Sequence, residues 1–156
     1  MNYFRAAYNW GQTAMRAAFY GSLALGTLWI PGTRPFTNWC MNAWCRGCAD
    51  GLGIRRQLIN AEILKAHPQA VLVANHLSTL DIIVLGSFLT RDYRWLAKSE
   101  LFKVPFSGWY LHMAGHIPVY RGKEARERNR IISERVHLVV ENGASVLFFP
   151  EGTRSD

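Results

Sequence analysis

From residue 70 onward, short apolar runs alternate with amphipathic stretches, and that rhythm predicts the fold. Residues 70–75 form an apolar run of strand length built around Val71, Leu72 and Val73. Residues 79–89 read as a helix and 93–97 as a strand. Residues 99–114 read as a helical region interrupted at Pro105, with Gly108 nearby, and 116–120 as a third strand. Residues 123–142 have helical spacing, with Ile132, Val136, Val139 and Val140 on the inner side and Gly143 as the stop. Residues 145–149 are a fourth strand; Val146, Leu147, Phe148 and Phe149 are apolar on both faces, as in an interior strand covered on both sides. Upstream, 54–60 reads as an exposed strand and 62–68 as a connection. Strands alternating with helices imply an α/β fold with a largely parallel or mixed sheet and flanking helices.

The first 49 residues follow another pattern. Residues 17–33 carry no charge and have an apolar centre from Leu23 to Ile30; Pro31 and Gly32 stop the run. A second stretch, 34–49, carries Phe36, Trp39, Met41 and Trp44. This segment holds no Asp or Glu, four arginines (Arg5, Arg16, Arg34 and Arg46) and four of the six tryptophans. Aromatics with arginines and without acids suit a membrane interface. We read a helical pair dipping into one leaflet. A single short span is the alternative, since a spanning helix needs about 17–25 residues; an aromatic-rich pair packed on the core is another. The composition shift at Asp50-Gly51-Leu52-Gly53 divides the chain into a membrane-associating segment, 1–49, and an α/β domain, 50–156.

Composition adds two constraints. The formal charge of +7 points to an anionic partner: nucleic acid, acidic lipid or a phosphorylated substrate. The three cysteines, Cys40, Cys45 and Cys48, are an odd number with no clear secretory signal, which argues for a reducing compartment. Cys45 and Cys48 have zinc or redox spacing, but no second ligand pair with zinc spacing accompanies them. Buried or membrane-facing thiols are the simpler account.

The polar residues then fall in a pattern. The first strand runs into Asn75-His76, the second into Lys98, the third into Arg121, and the fourth into Pro150-Glu151-Gly152-Thr153-Arg154. In open α/β sheets, sites form outside the carboxyl ends of the strands. Five steps along a helix turn by about 140°, at about 100° per residue, so His76 and Asp81 do not share a helix face. They meet only if His76 lies in the turn after the strand and Asp81 in the first helical turn. A carboxylate so placed accepts from one imidazole nitrogen and leaves the other as a base. The plainer reading is that Ser78 and Asp81 form a capping box. No Gly-x-Ser-x-Gly elbow, phosphate-binding glycine loop or dinucleotide fingerprint is present. His and Asp without a protein nucleophile fit base activation of a substrate hydroxyl, and arginines fit a phosphate or carboxylate clamp. A membrane-facing N-terminus suggests that the hydroxyl belongs to a lipid.

Four stretches resemble the glycerophospholipid acyltransferase family, in that family's order. Asn75-His76-Leu77-Ser78-Thr79-Leu80-Asp81 is similar to its Asn-His-x4-Asp motif. Lys98-Ser99-Glu100-Leu101, with Pro105 and Gly108, is similar to the next block. Gly115-His116-Ile117-Pro118-Val119-Tyr120-Arg121 resembles the third, with Pro, Val and Tyr where the bacterial 1-acylglycerol-3-phosphate branch often has Phe and Asp between Ile and Arg. Phe149-Pro150-Glu151-Gly152-Thr153-Arg154-Ser155 resembles the fourth closely. The resemblance covers about residues 52–156.

The resemblance implies transfer of a fatty acyl group from acyl-CoA or acyl-carrier protein to the free hydroxyl of a lysophospholipid, with lysophosphatidic acid the expected acceptor and phosphatidic acid the product. It implies His76 as general base and Asp81 as its partner. Lys98, Arg121, Glu151, Gly152, Thr153 and Arg154 are then substrate-binding residues, with Arg121 and Arg154 on the acceptor phosphate. It implies no metal, prosthetic group or nucleic acid, and a place at the cytoplasmic face of a membrane, the bacterial inner membrane. The family's later apolar-proline block does not follow residue 156, so the expectation is an acyltransferase domain lacking its C-terminal part and weakly active or inactive.

Overall fold

The computed structural model describes residues 3–122 and 125–152. The chain forms two compact units, one comprising the chain up to Ile59 with Ser78–Thr90, the other Asn60–Leu77 with the chain from Arg91 onward.

The first unit is helical. Helix α1 spans Tyr3–Thr27, α2 spans Arg34–Gly51 and α4 spans Asp81–Phe88; α2 packs against both of the others. Pro35 stands in the first turn of α2, where its missing N–H costs nothing. The contact faces are made of small side chains: Cys40, Cys45, Cys48 and Ala49 are fully buried, and Ile83 packs with Cys48 and Ala49. Asn42, buried on α2, gathers the end of α4: its Nδ2 lies 2.8 Å from the Gly86 carbonyl, 3.0 Å from Ser87 and 3.3 Å from Leu89. Arg46 donates from Nε to the Ser87 carbonyl at 3.1 Å. Carbonyls at a helix end have no intrahelical partner, and here two polar side chains supply one.

The outside of this unit is apolar. Phe4, Tyr8, Met15 and Phe19 are exposed on α1 within a stripe about 60° wide at about 100° per residue, and Tyr3 and Trp10 are exposed on the side away from it. Trp29, Ile30, Phe36 and Trp39 are exposed beyond it. No helix among the described residues is long and apolar enough to cross a membrane.

The second unit is built on a parallel sheet of four strands among the described residues. They are β1 (Val71–Val73), β2 (Tyr93–Lys98), β3 (Ile117–Val119) and β4 (Ser145–Phe148), in the order β1-β4-β2-β3. The interior position expected of the last strand is borne out: Ser145, Val146 and Leu147 are buried, between β1 on one side and β2 on the other. Pro118 sits in β3, an edge strand, where a missing N–H is tolerated. Helices α3 (Ala61–Ala66), α5 (Ser107–Met113), α6 (Ala125–Asn129) and α7 (Ile132–Glu141) complete the unit, with a 3₁₀ turn over Ser99–Lys103. Gly143 ends α7 as expected: at φ 87° its N–H meets the Val140 carbonyl, and the next N–H meets Val139.

Four expectations need correction. Residues 54–60 are not a strand: they lack two-residue alternation, and Asn60 turns left-handed at φ 56° to start α3. Residues 62–68 are not a plain connection, because α3 occupies Ala61–Ala66, its last turn tied by Arg91 to the carbonyls of Leu64 and His67. The helix expected over 123–142 is two helices, α6 and α7, broken at Arg130 and Ile131. The first strand is shorter than expected and lies at the sheet edge, with Val71 and Val73 exposed.

Candidate active site

All four strands are parallel, so the residues that follow their carboxyl ends lie on one edge of the sheet. That edge receives His76 after β1, Lys98 at the end of β2, Arg121 after β3 and Glu151 after β4.

The pairing register extends past the strands. Val71 pairs with Val146, Leu72 with Leu147 and Val73 with Phe148, a constant offset of 75. Ala74 continues it by donating to the Phe148 carbonyl at 3.3 Å. Two residues further, with the same offset, the His76 backbone N–H points at Glu151 Oε2 at 3.4 Å. The His76 ring stacks on Phe149, with centroids 4.3 Å apart and planes inclined by 14°. Phe149 in turn leans on buried Trp95 at 5.8 Å. The imidazole therefore rests on an aromatic shelf fixed to the two central strands, its residue half-buried at the sheet edge.

Arg121 reaches the same edge from β3. Its Nη2 lies against Gly152, where a Cβ would stand 3.5 Å away; Gly152 has φ 64°. His76 and Glu151, and Arg121 and Gly152, are thus brought together in pairs on neighbouring turns. Lys98 is exposed, with Glu100 at 4.0 Å. The Glu100 carboxyl is held below the usual range first by its own backbone N–H, with Lys98 and the Ser99 hydroxyl adding to it. Thr153 and Arg154 lie outside the described residues.

Asp81 belongs to the helical unit. Its Oδ2 accepts from the Ser78 N–H at 2.8 Å, its own N–H meets the Ser78 carbonyl, and the Ser78 hydroxyl accepts from Leu80 N–H at 3.2 Å. Of the capping box weighed for this carboxylate, the Asp81-to-Ser78 half is present, while Leu80, the N-cap residue of α4, makes no side-chain cap. A carboxylate has acceptor positions beyond the one that closes this turn.

Two residues of the sheet unit carry weight that the linear reading did not give them. Phe149 was visible only as part of an apolar strand; its place beneath His76 depends on the offset between two strands 75 residues apart. His116 is buried and accepts the Trp95 N–H at Nδ1, 2.9 Å. It extends the 21-residue offset of the β2–β3 pairing by one step, so a ring nitrogen takes the place of a ladder carbonyl. An accepting nitrogen carries no proton, which puts the proton of the neutral imidazole on Nε2.

The cysteines are not part of this edge. Burial pushes the Cys45 thiol up to about 12, with Cys48 contributing, and burial raises Cys40 and Cys48 as well. Among the described residues no three His, Cys, Asp or Glu side chains are grouped so as to hold a metal ion.

Residues 55–156 match the acyltransferase family. The chain belongs to this family. It is 40% identical over 101 residues to a chloroplast 1-acyl-sn-glycerol-3-phosphate acyltransferase of Arabidopsis thaliana, covering 62% of this chain and 28% of that protein. It is 35% identical over 104 residues to the 1-acyl-sn-glycerol-3-phosphate acyltransferase of Saccharomyces cerevisiae, covering 67% and 34%. It is 34% identical over 126 residues to a lyso-ornithine lipid O-acyltransferase of Rhodobacter capsulatus, covering 80% and 42%. The matched stretches thus cover less than half the length of each of these three acyltransferases. No solved structure matches it. The acyltransferase match takes in the whole sheet edge described above and begins just after α2.

Proposed function

We propose that this chain carries the acyl-transfer site of a lysophospholipid acyltransferase, with lysophosphatidic acid as acceptor. The observation that carries the reading is the convergence, on one sheet edge of an acyltransferase-family chain, of a shelved imidazole, the Glu151–Gly152 turn and Arg121. In this reading the His76 imidazole takes the proton of the acceptor hydroxyl as its oxygen attacks the thioester carbonyl carbon. The tetrahedral adduct collapses with breakage of the C–S bond, and the leaving thiolate recovers the proton from the imidazolium. Asp81 holds the imidazole tautomer and steadies the cation; no acyl-enzyme forms. Arg121 and Arg154 grip the acceptor phosphate, since a planar guanidinium matches phosphate oxygens in pairs. Glu151 and Gly152 set the turn, Thr153 joins them as a substrate-binding residue, and Lys98 adds positive charge at the rim. Acyl-CoA or acyl-carrier protein supplies the thioester.

The exposed aromatic stripe of α1, on a segment without acidic residues, supports docking of the helical unit into one leaflet at the cytoplasmic face, where lysolipid and thioester are both within reach. A second acceptor reading is favoured by the lyso-ornithine lipid acyltransferase, which matches more of this chain than the other two relatives described. That acceptor lacks a phosphate. An acceptor panel of lysophosphatidic acid, glycerol 3-phosphate, lyso-ornithine lipid and lysophosphatidylcholine, read by thioester release, decides between them. Turnover with lysophosphatidic acid that is lost in His76→Ala and weakened in Arg121→Ala is expected. Preference for an acceptor without phosphate would overturn the acceptor choice, and equal turnover by His76→Ala would overturn the mechanism.

A further inference from the structure

The last ladder pair of β3 is Val119 with Lys98, so the main chain at Tyr120 has left the sheet. It is nevertheless held at both of its polar groups by one side chain. The Tyr120 N–H donates to Asn129 Oδ1 at 2.9 Å, and Asn129 Nδ2 donates to the Tyr120 carbonyl at 2.7 Å. The N–H and C=O of one extended residue point to the same side, and a carboxamide offers one acceptor and two donors in the same plane. Asn129 therefore acts as a one-residue strand at the sheet edge. The neighbouring Arg128 adds a second hold, its guanidinium carbon 5.2 Å from the Tyr120 ring centre. Gly122, at φ 94°, accepts at its carbonyl from the Ala125 N–H at 3.1 Å.

What this clamp holds is the base of Arg121. Arg121 is exposed, and its Nη2 ends against the Gly152 turn. An exposed arginine has many rotamers, and the direction in which it sets out is decided by the backbone that carries it. The clamp sits on the preceding residue and spends both hydrogen-bonding functions of Asn129 there.

We propose that Asn129 is a positioning residue for acceptor recognition: its carboxamide fixes the main chain at Tyr120 and so aims Arg121 at the Glu151–Gly152 turn. This rests on Arg121 being a ligand of the acceptor phosphate. Small displacements of a substrate-positioning group change rates strongly, by about a hundredfold for about 1 Å. Asn129 touches no substrate in this scheme, so its effect passes entirely through Arg121.

A double-mutant cycle tests this with the whole protein and lysophosphatidic acid. Asn129→Ala should raise the acceptor KM about tenfold, with kcat and the donor KM changed by less than about twofold. In Arg121→Ala the further change Asn129→Ala should then cost nothing, because the group it aims is gone. Multiplying losses, or an equal loss on an unphosphorylated acceptor, would overturn the proposal and leave Asn129 as plain edge protection. Asn129→Asp, which keeps the oxygen that accepts from Tyr120 and loses the donor, serves the same cycle if the alanine variant does not fold. A second readout needs no turnover: NMR relaxation of the Arg121 side-chain Nε–H should show a lower order parameter in either Asn129 variant, and an unchanged value sinks the idea. If the unsubstituted protein acylates no lysolipid, the functional reading fails, and the arginine relaxation still decides whether Asn129 holds Arg121.

Discussion

The two units treat reactive side chains in opposite ways. The helical unit holds three thiols, the strongest nucleophiles in the chain, and disarms all of them by burial. The sheet unit holds a weaker base, His76, and leaves it half-buried on a shelf just beyond a strand. For thiols between packed helices, burial outweighs what stabilises a charge, even at Cys48, where the Thr13 side chain and Arg16 favour the thiolate. His76, just past the ladder, rests its ring on Phe149 and points its backbone N–H at Glu151. Position relative to secondary structure, more than residue type, separates a side chain left at the sheet edge from those that fill space.

The strongest test of that contrast is His76→Ala. Loss of a general base should lower acyl transfer by about 10²–10⁴-fold, with the folded circular dichroism spectrum retained. A variant turning over at near the original rate would remove the distinction between the two units. A structural test comes next. A Cβ on Gly108, in the sheet unit, would stand 2.3 Å from the Phe102 carbonyl oxygen, a backbone atom with nowhere to go. Gly108→Ala should therefore destabilise the protein by about 1–3 kcal/mol or more, read as a fall in the denaturant midpoint. In the helical unit, Gly51 faces the Gln12 amide at the same 2.3 Å, but that amide is the tip of a flexible side chain. Gly51→Ala should cost less than about 1 kcal/mol, since added helix propensity offsets the displaced contact. A larger loss at Gly51 than at Gly108 would mean that the helical unit is the more rigidly packed of the two.

The smallest expected effect is on the thiols. With Cys45 raised from its ordinary 9.0 to about 12, almost no thiolate exists at pH 8, so alkylation of the native protein should leave this residue unmodified until denaturant is added, as mass spectrometry would show. The sign of the linkage follows: folding favours the protonated thiol, so the stability it contributes is whole below pH 9.0 and is lost as pH rises toward about 12. Rapid native labelling at Cys45 would show that the helical unit opens readily.

Much of the sheet unit was legible in sequence, for a physical reason. Each strand was announced by an apolar run and closed by a polar residue, so the parallel pairing, the interior place of 145–149 and the shared edge could be read off the chain. The stop at Gly143 was legible because only a left-handed turn fits there. What escaped depended on distance along the chain. Nothing local says that Phe149 lies under His76, that His116 replaces a ladder carbonyl for Trp95, or that Asn129 folds back on Tyr120. The break between α6 and α7 was hidden for the same reason, since Asn129 looks like an ordinary helix residue until its long-range partner is known. Residues 54–60 misled because Ile54, Leu58 and Ile59 are strand-forming residues in a stretch that no sheet position receives. Of the two roles read for Asp81 in the sequence, the turn-closing one is seen directly in its bond to Ser78.

The offset of 75 between β1 and β4 also bears on how such a chain tolerates insertions and deletions. His76 stands three residues beyond Val73 and Glu151 three beyond Phe148, so the two are brought level by counting from a paired reference point. Adding or removing one residue within either short count would turn the imidazole or the carboxylate to the other side of the edge, whatever the side chains around it. Length changes between residue 77 and β4 leave both counts intact and can be absorbed in the connections. This edge of the sheet is thus indexed like a pair of rulers clamped at one mark, and chain length is free to drift everywhere except in the few divisions next to the clamp.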